Sequence, residues 1–196
     1  MDKPLNIARS ELILGGQKSG KSRRAEVLAR SWLDASPTRQ AVLIATAQAW
    51  DAEMQARISR HQTDRAERVP GMRTHEEPLA LAQAIASQSQ ADTLVVVDCM
   101  TLWLTNVLMP MHPPQGQADA AQPIAQAVAA LVQAVSQAPG PVVLVGNEIG
   151  LGVIPMGAEV RSFVDALGLL NQSLASACAR VTLMVAGLPL HLKDAP

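Results

Sequence analysis

The sequence has little net charge, few cysteines and no long apolar run, and each absence removes a class of protein. The net charge is −1, and charged residues make up only 17% of the chain. The chain therefore has no basic face for nucleic acid and no acidic tail. No apolar run reaches the ~18 residues of a membrane span, and the first residues lack the apolar core of a signal peptide. We expect a soluble, cytoplasmic protein with no nucleic-acid partner and no membrane span.

Cysteine is scarce, because Cys99 and Cys178 are the only two and lie far apart in apolar surroundings. Buried, reduced thiols of a cytosolic protein have this distribution, although Cys99 follows the acidic end of a predicted strand and is also a candidate catalytic thiol. No cluster of cysteine and histidine has the spacing of a zinc site. At 196 residues the chain suits one α/β domain. We place this domain at residues 11–196, after an N-terminal extension at residues 1–10.

The most informative segment is glycine-rich and fits the phosphate-binding loop pattern G-x-x-x-x-G-K-[ST]. Such a loop curls its backbone N–H groups around a polyphosphate, and the next helix turns its positive end to the same anion. A solvated turn is the alternative, but a predicted strand at residues 11–14 and a predicted helix at residues 23–33 favour the nucleotide site. The expected nucleotide contacts are Gly15, Gly16, Gln17, Lys18, Ser19, Gly20, Lys21 and Ser22.

Short apolar strands alternate with helices along the rest of the chain, which predicts a mostly parallel sheet flanked by helices. Together with the phosphate-binding loop, this predicts an α/β, single-domain P-loop NTPase fold of RecA-like type. Strands are predicted at residues 11–14, 41–46, 94–98, 141–145 and 181–186, with a short edge strand at 190–192. Helices are predicted at residues 23–33, 51–65, 78–89, 100–108, 124–137 and 157–179. Residues 66–77 are read as a polar connection and residues 109–123 as a surface loop.

Two residues are candidate magnesium ligands. The hydroxyl of Ser22 is expected to bind Mg²⁺, while Lys21 reaches the β- and γ-phosphates as a catalytic cation. Asp98 ends an apolar strand, where a P-loop enzyme places the carboxylate that holds the Mg²⁺ hydration shell. The alternative for Asp98 is an N-cap of the helix at residues 100–108.

Among the four histidines, His61 stands apart because its predicted helix leaves a strand end, the edge where open α/β sheets bind ligands. A lone histidine on a charged helix is usually only solvated. If His61 acts, it serves as a general base toward a hydroxyl or as a nucleophile on phosphorus. His112 falls in the predicted loop, His75 in the polar connection and His191 near the C-terminus. A glycine-spaced loop at residues 146–152 either approaches a ligand or is only a turn.

Five motifs occur together, and with them the chain resembles the bifunctional adenosylcobinamide kinase and adenosylcobinamide-phosphate guanylyltransferase family of cobalamin biosynthesis. The resemblance covers nearly all of the chain after the first ten residues. The chain has Lys18 where the family often has Arg, and its segment between Arg65 and Thr74 is a few residues longer. The motifs are the loop at residues 15–22, I-A-T-A at 44–47 followed by D-x-E-M-x-x-R-I-x-x-H-x-x-x-R at 51–65, T-x-E at 74–76, V-D-C-x-T-x-W-x-x-N at 97–106 and N-E-I-G-x-G-x-x-P at 147–155.

The resemblance implies two reactions. The family phosphorylates the aminopropanol hydroxyl of adenosylcobinamide with ATP or GTP, then transfers GMP from GTP to give adenosyl-GDP-cobinamide and pyrophosphate. It implies that His61 is the nucleophile that forms a GMP-histidine intermediate, and it suggests a homotrimer or similar homo-oligomer. The nucleotide contacts that it adds are Ala45, Thr46, Ala47, Gln62, Thr63, Asp64, Arg65, Glu76 and Asp98.

Two other functions stay open at this level. The first is a P-loop small-molecule kinase or NTPase with a single activity, in which His61 is a base or a bystander. The second is a GTP switch, which would be expected to carry an Asn-Lys-x-Asp segment for reading guanine. Asn147-Glu148 is not followed by that pattern, which disfavours the switch.

Overall fold

The computed structural model describes residues 5–109 and 121–194, with the backbone alone for residues 121–123. In these residues a seven-stranded sheet has the order β3-β2-β4-β5-β1-β6-β7. All neighbouring strands pair in parallel except β6 and β7, which are antiparallel. The strands are β1 Ser10–Gly15, β2 Gln40–Ala45, β3 Arg73–Glu76, β4 Thr93–Asp98, β5 Val142–Val145, β6 Arg180–Val185 and β7 Leu188–Asp194.

Helices cover both faces of the sheet, because successive strand residues alternate between the two faces. In β1, Leu12 and Leu14 pack with the apolar sides of α3, α4, α5 and α6. Ile13 points the other way and packs with α1. The helices are α1 Lys21–Asp34, α2 Ala52–Arg68, α3 Leu81–Gln88, α4 Met100–Leu108, α5 Ala121–Gln137 and α6 Ala158–Ala177. The predicted α/β class with a mostly parallel sheet is confirmed.

The prediction of a polar connection at residues 66–77 is wrong in part. The structure continues α2 to Arg68 and places a strand, β3, at Arg73–Glu76, so His75 lies in that strand. The strand was missed because Arg-Thr-His-Glu lacks apolar alternation. It lies at the edge of the sheet, where pairing with β2 supplies its order.

Several element bounds also shift. The first helix begins at Lys21, inside the glycine-rich segment, and the edge strand is longer than residues 190–192 because β7 pairs with β6 over Leu188–Asp194. The helix α5 begins at Ala121, so residues 121–123 are helical, whereas the predicted loop included them. The rest of that predicted loop beyond Met109, with His112, lies outside the described residues.

The first described residues pack on the domain. The carbonyl of Asn6 accepts a hydrogen bond from Arg180 at 2.7 Å, and Arg9 donates to the carbonyl of Ser136 at 2.7 Å. The division between an extension at 1–10 and a domain from 11 stays a prediction. Among the described helices, none is long and apolar enough to span a membrane.

Candidate functional site

The glycine-rich segment forms a loop between β1 and α1 whose backbone requires glycine at two points. Gly15 has φ of 150°, and a Cβ there would lie 2.5 Å from the carbonyl oxygen of Met184. Gly20, the N-cap of α1, has φ of 102°. An L side chain would be strained at either position. The shape of this loop therefore depends on glycine at these two positions.

Neighbouring segments fasten this loop in place. The N–H of Glu148 donates to the carbonyl of Gly15 at 3.1 Å, and the N–H of Gly187 donates to the carbonyl of Ser19 at 3.0 Å. The Oγ of Ser19 is buried and has no hydrogen-bond partner in the part of the chain that the structure describes. A buried hydroxyl without a partner is costly. It is therefore available to a phosphate oxygen in this loop.

Lys21 is the first residue of α1 and is 8% exposed. Its Nζ donates to the carbonyl of Gly16 at 2.6 Å, so the amine is folded back over the loop. Burial lowers its pKa, and the nearby Cys99 and Asp98 partly oppose that shift. A shielded ammonium group in a loop of backbone N–H groups is suited to a polyphosphate.

A cavity of about 260 Å³ lies beside this loop, at the carboxyl ends of β2, β3 and β4. Its walls come from segments that are distant in sequence, because parallel strands end at the same edge of a sheet. Eight of the lining residues belong to the predicted nucleotide, metal or catalytic site. They are Ser22, Ala45, Ala47, His61, Gln62, Arg65, Glu76 and Asp98.

Ser22 and Asp98 supply hard oxygen ligands on the wall of one cavity. Mg²⁺ prefers oxygen and binds through one or two protein groups together with phosphates and water. The residues present therefore fit a nucleotide-bound Mg²⁺. Among the described residues, there is no group of three or more Asp, Glu, His or Cys side chains that could hold a metal ion by itself.

Thr46 differs from its two alanine neighbours, because its side chain faces the protein and is fully buried. Its Oγ1 donates to the carbonyl of Cys99 at 2.7 Å and accepts from the N–H of Cys99 at 2.9 Å. Burial raises the pKa of the Cys99 thiol to about 11. At neutral pH this thiol is protonated, which argues against the catalytic-cysteine hypothesis.

His61 lies on α2, and within the described chain none of the residues of this helix is fully buried. The helix is held beside the cavity by polar contacts. Gln62 donates to Glu76 at 3.4 Å, and Arg65 donates to Thr74 at 3.4 Å. Burial lowers the pKa of Arg65, while Asp98 and Glu26 oppose the shift. The side chain of His61 is exposed and lines the cavity, so it can reach a ligand there.

Two predicted nucleotide contacts on α2 point elsewhere. The hydroxyl of Thr63 donates to the carbonyl of Ser59 at 3.1 Å, and the carboxylate of Asp64 accepts from Arg68 at 3.4 Å. Neither residue lines the cavity. A contact of a bound nucleotide with Thr63 or Asp64 stays a prediction.

The cavity also contains residues that were not predicted as site residues. The additional lining residues on α2 recur at helical spacing with His61 and Arg65. The sequence therefore did carry a signal for this face of the helix. Cys99 and Leu102 come from the start of α4; Cys99 was considered above only as a catalytic thiol, and no sequence pattern pointed to Leu102. The additional lining residues are Leu43, Ala49, Met54, Gln55, Arg57, Ile58, Cys99 and Leu102.

Comparison with known proteins gives a consistent result. A family described as "Cobinamide kinase / cobinamide phosphate guanyltransferase" matches residues 11–192. The chain belongs to this family. One similar protein, the bifunctional adenosylcobalamin biosynthesis protein CobP of Pseudomonas aeruginosa, is 47% identical over 95% of this chain and 98% of its own length. The protein CobU of Escherichia coli, with the same bifunctional description, is 35% identical over 93% of this chain and 98% of its own length. The resemblance seen in the sequence is confirmed.

Solved structures support the fold of this family member independently of sequence. An ATPase domain matches with a TM-score of 0.51 at 12% identity, over 90% of this chain and 69% of its own. The flagellar accessory protein FlaH of Methanocaldococcus jannaschii matches with a TM-score of 0.50 at 11% identity, over 96% of this chain and 80% of its own. At such low identity the likeness concerns the fold alone. The predicted P-loop NTPase fold is confirmed.

Proposed function

We propose that this protein phosphorylates the hydroxyl of adenosylcobinamide and then transfers GMP from GTP to the product, releasing pyrophosphate. The observation that carries the proposal is one cavity whose wall includes both the end of a phosphate-binding loop, at Ser22, and the histidine of α2, His61. Phosphoryl transfer needs the loop, and transfer of a nucleotide through a covalent intermediate needs a nucleophile close to it.

In the kinase step, the loop positions the triphosphate of ATP or GTP. The ammonium group of Lys21 and the backbone N–H groups of residues 15–22 stabilise the charge on the γ-phosphoryl group as it moves to the acceptor hydroxyl. A bond forms between the acceptor oxygen and the γ-phosphorus while the bond from that phosphorus to its bridging oxygen breaks. The nucleoside diphosphate leaves, and the hydroxyl proton passes to solvent. Ser22 and Asp98 would hold Mg²⁺ here, which neutralises phosphate charge when bound.

In the guanylyl step, a ring nitrogen of His61 attacks the α-phosphorus of GTP. A P–N bond forms, and the bond between the α-phosphorus and the oxygen that bridges it to the β-phosphate breaks. Pyrophosphate is the leaving group, and the phosphate-binding loop stabilises its charge. An oxygen of the acceptor's phosphate then attacks the same phosphorus, and the P–N bond breaks. The product is adenosyl-GDP-cobinamide, and neutral His61 is restored. Gln62, Arg65 and Glu76 line the cavity beside His61 and would contact the nucleotide. We also propose a cytoplasmic homo-oligomer, a trimer by family resemblance.

The proposal is tested by supplying the protein with Mg²⁺, adenosylcobinamide and GTP that is labelled at the γ-phosphate. The label should appear first in adenosylcobinamide phosphate, and pyrophosphate and adenosyl-GDP-cobinamide should follow. If labelled adenosylcobinamide phosphate accumulates with GTP in excess and no pyrophosphate forms, the protein is a kinase with a single activity. If adenosylcobinamide takes up no label, the kinase half of the proposal is wrong.

A further inference from the structure

A second and larger concavity lies beside the segment that follows β5. Its volume is about 550 Å³, and it runs between the loop that follows β5 and the exposed face of α6. We call it the α6 groove. Its lining is mostly apolar or glycine and comes from Ile149, Gly150, Gly152, Val153, Ile154, Pro155, Arg161, Val164, Asp165, Gly168, Leu169 and Gln172.

The α6 groove begins next to the phosphate-binding loop. The strand β5 lies between β1 and β4, whose ends carry that loop and Asp98. Beyond β5, the N–H of Glu148 bonds to Gly15 at 3.1 Å, and Ile149 already lines the groove. A molecule in the groove can therefore extend a flexible arm across Glu148 to the transferring phosphate.

The chemistry of the α6 groove does not suit a second nucleotide. Its charged residues are Arg161 and Asp165, which balance in formal charge, and Arg161 donates to the carbonyls of Pro155 and Met156 in the opposite wall. A polyphosphate would need excess positive charge or free backbone donors. An apolar lining with a few polar groups suits instead a large, uncharged or amide-bearing ligand.

The loop wall of the α6 groove leaves apolar side chains in solvent. Val153 and Ile154 are 97% and 78% exposed, and Leu169 on the helix wall is 65% exposed. Large exposed apolar patches mark interaction sites and ligand-binding grooves. A flat macrocycle placed between the two walls would cover such side chains.

We infer that the α6 groove holds the acceptor of both transfers, a corrin macrocycle with amide side chains, while the nucleotide occupies the cavity beside His61. The inference rests on the proposed function. Both reactions need an acceptor whose hydroxyl or phosphate reaches the same loop from outside the nucleotide cavity. The α6 groove supplies a surface of the required size, apolarity and position.

Gly168 offers a direct test. A Cβ at this position would meet no heavy atom within 4 Å among the described residues, so a larger side chain projects into the α6 groove without displacing the fold. Gly168→Trp should raise both the KM for adenosylcobinamide and its Kd in equilibrium dialysis by about tenfold or more. Gly168→Ala is the matched control and should change both by less than about threefold. Ser176→Trp adds the same bulk on an exposed part of α6 outside the groove and should behave like wild type.

A readout without the acceptor separates this inference from the proposed function. Covalent labelling of the protein by α-labelled GTP needs no acceptor, so Gly168→Trp should take up label at the wild-type rate. If the wild type neither labels nor phosphorylates adenosylcobinamide, the proposed function fails. If the wild type is active and Gly168→Trp keeps wild-type Kd and KM for the acceptor, the inference is overturned.

The oligomeric state gives one further test, and a second variant covers the case in which Gly168→Trp does not fold. If Gly168→Trp changes the oligomeric mass in solution, the α6 groove is a contact between copies of the chain and the inference is wrong. If Gly168→Trp does not fold, Gly152→Trp replaces it, because a Cβ at Gly152 also meets nothing within 4 Å among the described residues. The same rise in acceptor Kd and KM is expected from that variant.

Discussion

At the scale of single residues, Lys21 shows how function and stability oppose each other. Its ammonium group is nearly shielded from water, with a carbonyl oxygen as its hydrogen-bond acceptor, and burial lowers its pKa. The folded protein therefore holds this positive charge less favourably than the unfolded chain does. A bound triphosphate would reverse that balance, because it places negative charge around the amine.

We predict that Lys21→Met lowers both transfer activities by at least about 10²-fold, because the loop loses its cation. The free energy of unfolding of the ligand-free protein should stay the same or rise, since the methionine buries no charge. Urea unfolding followed by circular dichroism measures the second effect. A loss of more than about 1 kcal/mol would contradict this view of Lys21.

Much of the site at this scale was predictable from the sequence. The loop at residues 15–22, Asp98 and His61 were all predicted, because each follows a recognisable strand or sits in a motif with a chemical reason. The inward direction of Thr46 was not, since its hydroxyl bonds to the backbone of Cys99, 53 positions away. A contact at such separation leaves no trace in local spacing.

At the scale of secondary structure, α4 joins two segments at the carboxyl edge of the sheet through Asn106. This side chain is 1% exposed, and its Nδ2 donates to the carbonyls of Thr46 at 2.8 Å and Pro78 at 3.1 Å. The two carbonyls belong to the segments that follow β2 and β3. Asn106 therefore fixes the spacing of two segments that border the cavity.

We predict that Asn106→Leu lowers the free energy of unfolding by about 2–3 kcal/mol, because two carbonyls lose a buried donor. The KM for the nucleotide should rise as well, since the edge at residues 45–47 loosens. Thr105→Val is the matched control, because the hydroxyl of Thr105 bonds only within its own helix, to Thr101 at 2.9 Å. Equal losses in the two variants would show that the Asn106 bridge has no special role.

The strand β3 marks the limit of prediction at this scale. Periodicity finds strands that bury one face, and β1, β2, β4, β5 and β6 were found in this way. In β3, His75 is half-buried while the other three residues are exposed, and pairing with β2 supplies its order. Tertiary pairing therefore decided a structure that the local sequence did not specify.

At the scale of the whole molecule, a buried ionic network joins the two ends of the described chain. Glu11, which is 1% exposed, accepts from Arg24 at 2.8 Å and from Thr182 at 2.8 Å, and it lies 3.6 Å from Arg180. Arg180 also donates to Asp194 in β7 at 2.8 Å. The network therefore ties β1, α1, β6 and β7 together.

We predict that Arg180→Met lowers the free energy of unfolding by about 3 kcal/mol, because Glu11 stays buried with one guanidinium fewer. Asp194→Asn should have a smaller effect that depends on pH. The hydrogen bond from Arg180 lowers the pKa of Asp194 below its usual value of 3.8. Its contribution is therefore present above about pH 4 and is lost as the pH falls through the lowered pKa. Thermal unfolding of wild type and Asp194→Asn between pH 2 and pH 7 measures the difference, and a gap that widens toward acid would contradict the assignment.

The functional cavity is also a property of the whole molecule, since its walls come from α1, α2, β2, β3, β4 and α4. The sequence predicted α1, α2, β2, β4 and α4 but not β3, and it gave no distances, because the crossing order of the strands brings these elements together. The α6 groove was beyond prediction for the same reason. The glycine-spaced loop after β5 gave a signal, yet its partner face on α6 is known only from the fold.

The central claim is that His61 becomes covalently guanylylated in a cavity that the end of the phosphate-binding loop, at Ser22, also lines. The most direct measurement exposes the protein to Mg²⁺ and α-labelled GTP, denatures it, and compares wild type with His61→Ala. We predict acid-labile, alkali-stable label on the wild type and none on His61→Ala, while His61→Ala keeps its transfer of the γ-phosphate to adenosylcobinamide. Label that persists on His61→Ala, or its absence from a wild type that binds and turns over GTP, would contradict the account.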